Sequence, residues 1–538
     1  MANLQRFWAF GLAVLALFAS AGAYAGGWLH GAIPIVTLAL AALGVRDLVQ
    51  RRHAILRNYP IIGHFRFLLE SIRPELRQYF IESDTERVPF SREQRAIVYQ
   101  RAKGVLDKRP FGSKLDPYSD GYEWIHHSIL PSRIDSHDFR VTIGAGREHA
   151  YSASVFNISA MSFGALSANA ILALNGGAKL GGFAHDTGEG SISRYHREPG
   201  GDLIWEIGSG YFGARKPDGG FSDERFAENA GHPQVKMVEL KLSQGAKPGH
   251  GGVLPAPKVT PEIAEARGVE PWVTVESPAR HSVFSTPIEM LVFIERMRRL
   301  AQGKPTGFKL AVGHPWELFA IVKAMLETGI TPDFIVVDGK EGGTGAAPAE
   351  FMDRAGMPMH DGLLLVHNTL RACGLRSQIR LGAAGQIITA FDIARTMAIG
   401  ADWCNSARGF MFALGCIQSL SCHTDRCPTG VATQDPLRQR ALMVPDKTQR
   451  VFQFHRNTLE ALRELLQSAG LVHPSQIRPY HIMRRIGQDD SRPLSEVHHF
   501  LPEGALLAPG GAADCGPVYA AWWERARPDS FHPLSAAR

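Results

Sequence analysis

Residues 307–339, GFKLAVGHPWELFAIVKAMLETGITPDFIVVDG, contain two short apolar runs with a helical pattern between them. Each run ends at a glycine, in GFKLAVG (307–313) and in DFIVVDG (333–339). The segment between them, PWELFAIVKAMLETG, repeats its apolar residues at the three- and four-residue spacing of a helix. A strand, a helix and a second strand in this order form a βαβ unit, whose two strands lie parallel. This stretch therefore predicts an α/β fold.

The same alternation continues on both sides of this unit, from about residue 140 onward. Further runs of this kind are FNISAMS (156–162), FAHDTGEG (183–190), LIWEIGSG (203–210), VKMVELKLSQG (235–245), WVTVES (272–277), IRLGAAG (379–385) and ADWCNSA (401–407). About eight or nine strand–helix units favour a (β/α)8 barrel, and a doubly wound parallel sheet is the second interpretation.

Polar residues stand near the ends of these runs. They are Ser159, Ser162, Glu189, Gln244, Lys247, Lys309, Asp338 and Gln386. Because the functional groups of a (β/α)8 barrel gather at the C-terminal ends of its strands, we expect these side chains to share one site.

Two of these positions have the chemistry of ligand-binding groups. Gln244 and Lys247 lie in a glycine-rich loop, QGAKPGHGG (244–252), whose backbone N–H groups suit an anionic or electron-rich ligand. Lys309 interrupts an apolar run, and a buried lysine is stable only when it is paired or binds a ligand. For Lys309 a structural ion pair and a functional role are both open.

The last two runs end in a pattern typical of a phosphate site. Gly385 and Gln386 follow one run, and the turn Ser406-Ala407-Arg408 follows the next. Loops at this place in barrels commonly bind phosphate through N–H groups, and Arg408 adds a charged fork. At the end of the first run, the small residues of SAMSFGA (159–165) would let a flat ring lie against the chain, although an ordinary turn is the alternative.

Three of the six cysteines, Cys416, Cys422 and Cys427, fall in one short segment, with Pro428 directly after the third. A disulfide would leave one cysteine unexplained, a zinc site would need a fourth ligand, and a catalytic thiol would need only one. Iron–sulfur loops use several thiolates and often a proline after the last, and three ligands suit a three-iron cluster.

The N-terminus contains two apolar segments, 7–25 and 28–45, that have no Asp, Glu, Lys or Arg. Their length favours a transmembrane hairpin, and a cleaved signal peptide is the alternative. Arg6 before the hairpin and the arginine-rich RDLVQRRHAILR after it predict that both ends are cytoplasmic. The net charge of +6 is modest, and no basic run interleaved with aromatics indicates nucleic acid.

Six motifs, in this order, resemble the FMN-binding synthase domain of glutamate synthases over roughly residues 110–440. They are SAMSFGALS (159–167), DTGEG (186–190), KLSQGAKPGHGGVLPAPKV (241–259), FKLAV (308–312), DGKEGGTGAAP (338–348) and GCIQSLSCHTDRCPTGVATQ (415–434). The resemblance implies a (β/α)8 barrel that binds FMN and a [3Fe–4S] cluster. It also implies reduction of 2-iminoglutarate, formed from 2-oxoglutarate and ammonia, to glutamate, with electrons from an external donor.

The resemblance also assigns roles to residues. The cluster ligands would be Cys416, Cys422 and Cys427. The residues around FMN would be Ala160, Met161, Ser162, Gln244 and Lys309, with its phosphate at Gly385, Gln386, Ser406, Ala407 and Arg408. Lys309 would hold the substrate carboxylate, and Gln244 and Lys247 would complete the catalytic set.

The chain departs from the family pattern in three ways. It starts MANLQRF, so we expect neither an amidotransferase domain nor glutamine hydrolysis. It has His250 and Lys340 where the family tends to have Glu and His, which leaves open another amine or 2-oxo acid. The hairpin is foreign to the soluble enzymes and suggests a membrane electron partner. An electron-transfer subunit without its own substrate is the alternative of a different class.

These observations predict four segments. Residues 1–50 would form the transmembrane hairpin and 51–130 a helical connection. Residues 131–445 would form the FMN-binding barrel with its iron–sulfur loop, and 446–538 a C-terminal helical extension. The catalytic domain is expected in the cytoplasm.

Overall fold

The computed structural model describes residues 5–86 and 89–535. The chain divides into two compact units, Met1–Glu86 and Arg87–Arg538.

The first unit begins with a pair of apolar helices, Trp8–Ala25 and Ala32–Val49. Ser20 and Thr37 join them through a hydroxyl–hydroxyl hydrogen bond of 2.8 Å. At Gly44 the helices approach so closely that a Cβ atom would lie 2.2 Å from the ring of Phe10. Both helices are long and apolar enough to cross a membrane, although a buried core helix or a signal sequence can have the same properties. Short helices follow at Ala54–Asn58 and Gly63–Leu76, and Arg77–Ile81 continues as a π-helical turn.

The second unit is built on a closed barrel of eight parallel strands. In chain order, and numbered here β1 to β8, they are Phe156–Ile158, His185–Asp186, Leu203–Ile207, Val235–Lys241, Thr306–Leu310, Phe334–Asp338, Arg380–Ala384 and Trp403–Ser406. Each strand pairs with the next, and β8 pairs with β1. The predicted (β/α)8 barrel is confirmed, and the doubly wound sheet is excluded.

Helices connect the strands and surround the barrel. Between β1 and β8 they are Ala168–Gly181, Arg194–Arg197, Asp223–Gly231, Pro261–Arg267, Pro287–Leu300, Pro315–Thr328, Ala349–Arg354, Met359–Ala372 and Ala390–Ala398. Outside this range lie Arg92–Lys103, Arg408–Leu414, Pro436–Arg440, Val444–Ser468, Leu494–Val497, Gly511–Asp514 and Pro517–Trp522. Hydroxyl caps start several of them: Thr286 accepts from the N–H of Glu289, whose carboxylate accepts from the N–H of Thr286.

Apolar side chains fill the barrel at the end where its strands begin. The interior residues there are Ala184, Ile204, Met237, Phe334, Val336 and Trp403. An antiparallel pair, Arg140–Ile143 and Tyr151–Ser154, precedes β1 and adds Ile143 and Tyr151 to this cluster. Side chains alternate along a strand, so Glu206 and Glu239, two residues after Ile204 and Met237, face the same interior. Apolar side chains therefore close one end of the barrel, and the charged side chains of Glu206 and Glu239 lie nearer the other end.

One predicted strand does not belong to the barrel. WVTVES (272–277) contributes only Val275–Glu276, which pairs antiparallel with Val253–Leu254 in the long connection after β4. Trp272 and Val273 are more than half exposed, so this run lacks the burial on both faces that a barrel strand requires. Its apolar composition was misleading for that reason.

The segments on either side of the barrel contain more than helices. Glu123–Ile125 pairs with Ile482–Arg485, which pairs in turn with Ser491–Pro493. Glu123, which is partly buried, forms ion pairs with Arg484 and Arg395 at 2.6 and 2.8 Å. This small sheet ties the chain before the barrel to the chain after it.

Candidate functional site

A cavity of about 1160 Å3, partly open to solvent, lies at the C-terminal ends of the barrel strands. Among the predicted site residues, those that line it are Ala160, Met161, Ser162, Gln244, Lys309, Gly385, Gln386, Ser406, Ala407, Arg408 and Cys422. The fold therefore brings together positions that are as far as about 260 residues apart in the chain. Lys247 lines a smaller neighbouring cavity, and Cys416 and Cys427 are buried.

Three acidic residues and one lysine meet in the barrel interior beside this cavity. Asp186, Glu206 and Glu239 each offer a carboxylate oxygen within 4.8 Å of the others. The ammonium of Lys309 forms an ion pair with Glu206 and lies 3.3 Å from Oε1 of Glu239. Lys309 and Glu206 also line the cavity, so this acidic cluster reaches its wall. Of the two interpretations for Lys309, the structural ion pair is present, and the exposure to the cavity keeps a functional role available.

The acidic cluster holds more negative groups than its lysine can neutralise. Burial opposes the charge of Lys309, but Glu206, Glu239 and Asp186 raise its pKa well above the ordinary value. Burial raises the pKa of Glu239 well above its ordinary value and that of Asp186 to about 7. Since three buried carboxyl groups share one ammonium, the cluster retains at least one proton at neutral pH.

A second ion pair lies at the cavity wall. Lys241 Nζ is 3.0 Å from Glu189 Oε2 and donates to Oε1 of Gln244 at 2.6 Å. Burial would raise the pKa of Glu189, but Lys241 and nearby cations lower it, so this carboxylate stays charged. Because the carbonyl oxygen of Gln244 binds Lys241, its amide nitrogen is left to face the cavity as a donor.

The loops after β4 and β6 pack directly on each other. The N–H of Gly245 donates to Asp338 Oδ2 at 2.8 Å. A Cβ atom at Gly245 would lie 1.8 Å from the carbonyl oxygen of Gly339. Only glycine permits this approach. The glycine-rich sequence therefore fixes the position of Gln244 next to the cavity.

Backbone donors stand free at the predicted phosphate position. Within residues 89–535, the N–H groups of Gly385, Gln386 and Ala407 donate to no protein acceptor. Gln386 has a φ of 51°, an uncommon conformation for a residue other than glycine. Its side chain donates to the carbonyl of Pro89, and the hydroxyl of Ser406 donates to the carbonyl of Ile387. Arg408 donates through one terminal nitrogen to the carbonyl of Thr344 at 3.3 Å. The groups left for an anion are thus the backbone N–H groups and the remaining N–H groups of Arg408.

The cysteine segment begins where the helix Arg408–Leu414 ends, next to the cavity. Burial would raise the pKa of Cys427, but the hydroxyl of Thr429 and the N–H groups of Ala432, Thr429 and Val431 lower it. The sulfur of Cys416 accepts from the N–H of Gln418 at 3.4 Å. This arrangement favours the thiolate at Cys427, the form that binds metals.

Two further features of the cysteine segment are the distances between its thiols and the conformation of its backbone. No set of three ligand atoms within 4.8 Å of one another includes these thiols in the part of the chain that the structure describes. Gln418, Leu420 and Asp425 all have positive φ values, between 56° and 62°. Such backbone strain in a short loop often accompanies a functional site.

Buried Lys258 joins the cysteine segment to the turn after β1. Its ammonium donates to the carbonyls of Ala432 and Ala165 at 3.1 and 3.4 Å. Burial lowers its pKa, whereas Asp425 and the thiols of Cys422 and Cys427 act to raise it. A positive group therefore stands close to two of the three sulfurs.

The smaller cavity, about 500 Å3, is lined by Lys247, Cys422, Arg267 and Lys258, among others. Lys247 is buried and donates to the carbonyl of Ala346 at 3.3 Å. Among the described residues, no carboxylate oxygen lies within 4.0 Å of its ammonium nitrogen. Burial lowers its pKa, whereas Glu189 acts to raise it, and an anionic ligand in this cavity would stabilise the ammonium further.

The two positions that depart from the family pattern lie off the main cavity. His250 binds the carbonyl of Gly251, and its ring packs against Phe351. The ammonium of Lys340 donates to the carbonyls of Met352 and Ala355. Neither residue lines the main cavity.

Several functional groups were not singled out from the sequence. Glu206 and Glu239 interrupt apolar strands just as Lys309 does, so the same rule would have singled them out as buried charges, although not as partners of Lys309. Asp186 lies in the motif DTGEG (186–190), but the sequence does not mark it as a buried acid. Lys258 carried no recognisable signal, because its partners are backbone carbonyls from distant segments.

Comparison with known proteins identifies the family and the relatives that this chain resembles. Residues 128–472 match the family described as "Conserved region in glutamate synthase". The chain is 40% identical over 496 residues to the "Glutamate synthase large subunit-like protein YerD" of Bacillus subtilis (strain 168), covering 84% of this chain and 94% of that protein. It is 34% identical over 316 residues to an archaeal-type glutamate synthase (NADPH) of Thermotoga neapolitana, covering 58% of this chain and 59% of that protein.

Among the solved structures with some similarity to this chain is mandelate oxidase with (S)-2-phenylpropionate. The TM-score is 0.41 with 14% identity, over 74% of this chain and 98% of that chain. A mutant flavocytochrome b2 with pyruvate bound gives a TM-score of 0.41 with 11% identity, over 83% and 90% of the two chains. Similarity at this level carries no argument about function.

The family match covers well over half of the chain, and YerD is matched along nearly its whole length. The archaeal-type relative is matched over about three fifths of its length. The family prediction from the six motifs is therefore confirmed, and with it the prediction of a glutamate synthase-type oxidoreductase at the level of the family. The chain belongs to the glutamate synthase family.

Proposed function

We propose that this protein is an FMN- and [3Fe–4S]-dependent oxidoreductase that reduces the imine of a 2-oxo acid, 2-oxoglutarate plus ammonia, to the amino acid glutamate. The observation that supports this proposal is the lining of a single cavity. Met161, Gln244, Lys309, the Gly385–Gln386 turn and Cys422 all contribute to it. A flavin, its phosphate, a substrate and one cluster ligand would thus be neighbours.

The residues present fit flavin mononucleotide. The free N–H groups of Gly385, Gln386 and Ala407, together with Arg408, suit its phosphate. Ala160 and Met161 offer a small and a flexible apolar surface for the ring, and the amide nitrogen of Gln244 offers a donor to it. When bound, the flavin would supply hydride chemistry, and the protein would orient and shield it.

The cysteine segment fits an iron–sulfur cluster better than a single ion. A tetrahedral zinc site with bonds of about 2.3 Å would place its sulfurs about 3.8 Å apart. The three thiols are not gathered that closely in the described chain. The N–H groups around Cys427 and the ammonium of Lys258 suit an anionic cluster, whose properties depend on such contacts.

Three groups would act on the substrate. The ammonium of Lys309, which the resemblance assigns to the substrate carboxylate, is already paired with Glu206 and Glu239. Lys247 would attract that carboxylate instead, because its ammonium has no carboxylate partner among the described residues. Gln244 would donate to a substrate or flavin oxygen. Lys309 would donate the proton that the imine nitrogen needs when hydride reaches the imine carbon, and Glu206 would keep that ammonium charged. The acidic cluster then resupplies the proton.

A spectrum and a metal analysis of protein purified without oxygen test the cofactors. Flavin absorbance with about three irons per chain supports the proposal. Zinc in place of iron, or neither flavin nor metal, contradicts it. A screen of 2-oxo acids with ammonia and a chemical reductant tests the substrate. Glutamate formed from 2-oxoglutarate is the expected product, and another amino acid would identify a different 2-oxo acid. A loaded protein without any product would favour an electron-transfer subunit.

We also propose that the helices Trp8–Ala25 and Ala32–Val49 form a membrane hairpin, with the barrel in the cytoplasm. The arginines at 6, 46, 51, 52 and 57 flank it at one end, as the positive-inside rule requires. A membrane electron carrier or a donor protein would then supply electrons. Removal of residues 1–47 should leave a flavin-bound protein that alkaline carbonate extracts from membranes, and continued resistance to this extraction would contradict the hairpin.

A further inference from the structure

The helix Gly63–Leu76 of the first unit carries a stripe of exposed apolar side chains. Phe65, Leu68, Leu69, Ile72 and Leu76 expose 60%, 55%, 44%, 40% and 39% of their surface. Their spacing of three and four residues places them along one face. Phe80 and Ile81, just beyond the helix, are 81% and 74% exposed. An apolar surface of this kind on a charged helix indicates an interaction site.

Charged residues border the stripe on the same helix. Arg66 and Glu70 form an ion pair of 3.0 Å, and Arg73 follows one turn later. The helix is therefore amphipathic, with its polar residues satisfied in water or at a polar boundary. Its 14 residues span only about 21 Å, too short for the roughly 30 Å of a hydrocarbon core.

Hydrogen bonds fix where this helix begins. Asp47, near the C-terminal end of the second apolar helix, is buried and accepts from His64 and from the N–H of Ile61, each at 2.9 Å. Arg6, just before the first apolar helix, donates to Asn58 at 3.1 Å. The amphipathic helix thus starts at the end of the hairpin where the chain enters and leaves it.

The charge at this end is strongly positive. Between residues 46 and 77 the arginines are Arg46, Arg51, Arg52, Arg57, Arg66, Arg73 and Arg77, against the acids Asp47, Glu70 and Glu75. Asp47 is occupied by His64, which reduces the exposed negative charge further. Such a surface complements anionic headgroups, which attract basic residues that lie near the membrane surface.

We propose that the helix Gly63–Leu76 lies in the headgroup region of an anionic bilayer, with Phe65, Leu68, Leu69, Ile72 and Leu76 turned toward the acyl chains. This surface is separate from the redox site and adds a third membrane element to the proposed hairpin. It would hold the chain after the hairpin parallel to the membrane. The arginines would reach back to the phosphates, as long basic side chains do at interfaces.

Photocrosslinking of the full chain in nanodiscs tests this proposal. Benzoylphenylalanine replaces Phe65 or Leu69 on the apolar stripe, Glu70 on the polar face, or Leu15, an exposed residue of the first apolar helix. The nanodiscs contain phosphatidylethanolamine and phosphatidylglycerol. Mass spectrometry then identifies phospholipid adducts. We expect phospholipid adducts when benzoylphenylalanine replaces Phe65 or Leu69, and none when it replaces Glu70.

The four positions separate the possible outcomes. Adducts at Leu15 without adducts at Phe65 or Leu69 would overturn the proposal while leaving the hairpin intact. Adducts between two protein chains at Phe65 would overturn it in favour of a second copy as the occupant. Adducts at Phe65 but not at Leu15 would support the interfacial helix and contradict the hairpin. Adducts at no position would contradict both. None of these readouts depends on the flavin or the cluster.

The arginines provide an independent measurement. The variant Arg66→Gln/Arg73→Gln removes two positive charges without touching the apolar stripe. We expect it to lower adduct formation at Phe65 in phosphatidylglycerol nanodiscs several-fold, and to change it little in neutral phosphatidylcholine. Equal adduct yields in both lipids for the unchanged protein would contradict the requirement for an anionic surface.

Discussion

The ammonium of Lys309 lies 3.3 Å from Glu239 in the barrel interior, and both side chains are buried. Glu206, the other partner of Lys309, is also buried, and Asp186 completes the acidic cluster. Burial of charge at the centre of a barrel is costly unless each charge has a partner. The acidic cluster lies beside the cavity, so the proton that it retains would be available to an imine bound there.

Replacement of Lys309 by methionine should affect stability and turnover separately. Loss of the only cation in the acidic cluster leaves buried carboxyl groups uncompensated, which costs about 3–5 kcal/mol. Loss of a proton donor should reduce turnover by roughly 100-fold or more. Thermal unfolding and steady-state glutamate formation measure the two effects.

The double variant Lys309→Met/Glu239→Gln provides the control. The neutral amide that replaces the Glu239 carboxyl group should recover part of the lost stability, because it removes one unpaired acid, while turnover remains low. If turnover recovers together with stability, Lys309 has only a structural role.

Asp186 should make stability depend on pH in a direction opposite to that of most carboxylates. Its pKa is raised to about 7 by burial, with Glu206 adding to the effect, whereas an unfolded aspartate ionises near 3.9. The stabilisation from the neutral folded acid is therefore complete below about pH 4 and is lost as pH rises to about 7.

The variant Asp186→Asn, which has no proton to lose, isolates this contribution. Between pH 5 and pH 8 its melting temperature should rise relative to that of the unchanged protein by a few degrees, since about 1 kcal/mol shifts Tm by roughly 2–4 °C in domains of 150–250 residues. Melting curves at several pH values check this. Parallel curves for the two proteins would show that Asp186 is ionised throughout this range.

The sequence predicted the barrel well because most strands are short and apolar and several are followed by a helix of clear periodicity, although β2, His185–Asp186, is neither apolar nor followed by a long helix. It misassigned WVTVES (272–277), since composition does not reveal that Trp272 and Val273 are exposed. It identified Lys309 as a site residue but did not pair it with Glu206 or Glu239, because an ion pair between strands becomes visible only when the strand register is known. Lys258 shows the limit most clearly: its partners are the carbonyls of Ala165 and Ala432, which every residue type possesses.

Gly245 should tolerate no side chain. An added Cβ would lie 1.8 Å from the carbonyl oxygen of Gly339, so Gly245→Ala must push the loops after β4 and β6 apart. That movement breaks the hydrogen bond to Asp338 and displaces Gln244 from the cavity. We expect a loss of bound flavin and a fall in turnover of roughly tenfold or more, because small displacements of catalytic groups are costly.

Gly313 is a matched control, since it follows β5 but has no atom within 4 Å of an added Cβ. Gly313→Ala should keep normal flavin content and turnover. Flavin absorbance after gel filtration compares the two variants directly. Normal flavin binding by Gly245→Ala would mean that the loop contact does not support the site.

Cys422 differs from the other predicted cluster ligands because it also lines both cavities. Its replacement by alanine should remove most of the iron and the paramagnetic signal of a three-iron cluster, because two thiolates cannot hold it. The control is Cys515→Ala, a buried cysteine outside the segment, which should retain full iron content. Iron analysis and low-temperature electron paramagnetic resonance of anaerobically purified proteins measure both.

Flavin content should be nearly unchanged in Cys422→Ala, since the flavin phosphate would bind at Gly385, Gln386 and Arg408. Full iron in Cys422→Ala would exclude it as a ligand, whereas parallel loss of iron in both variants would indicate general instability.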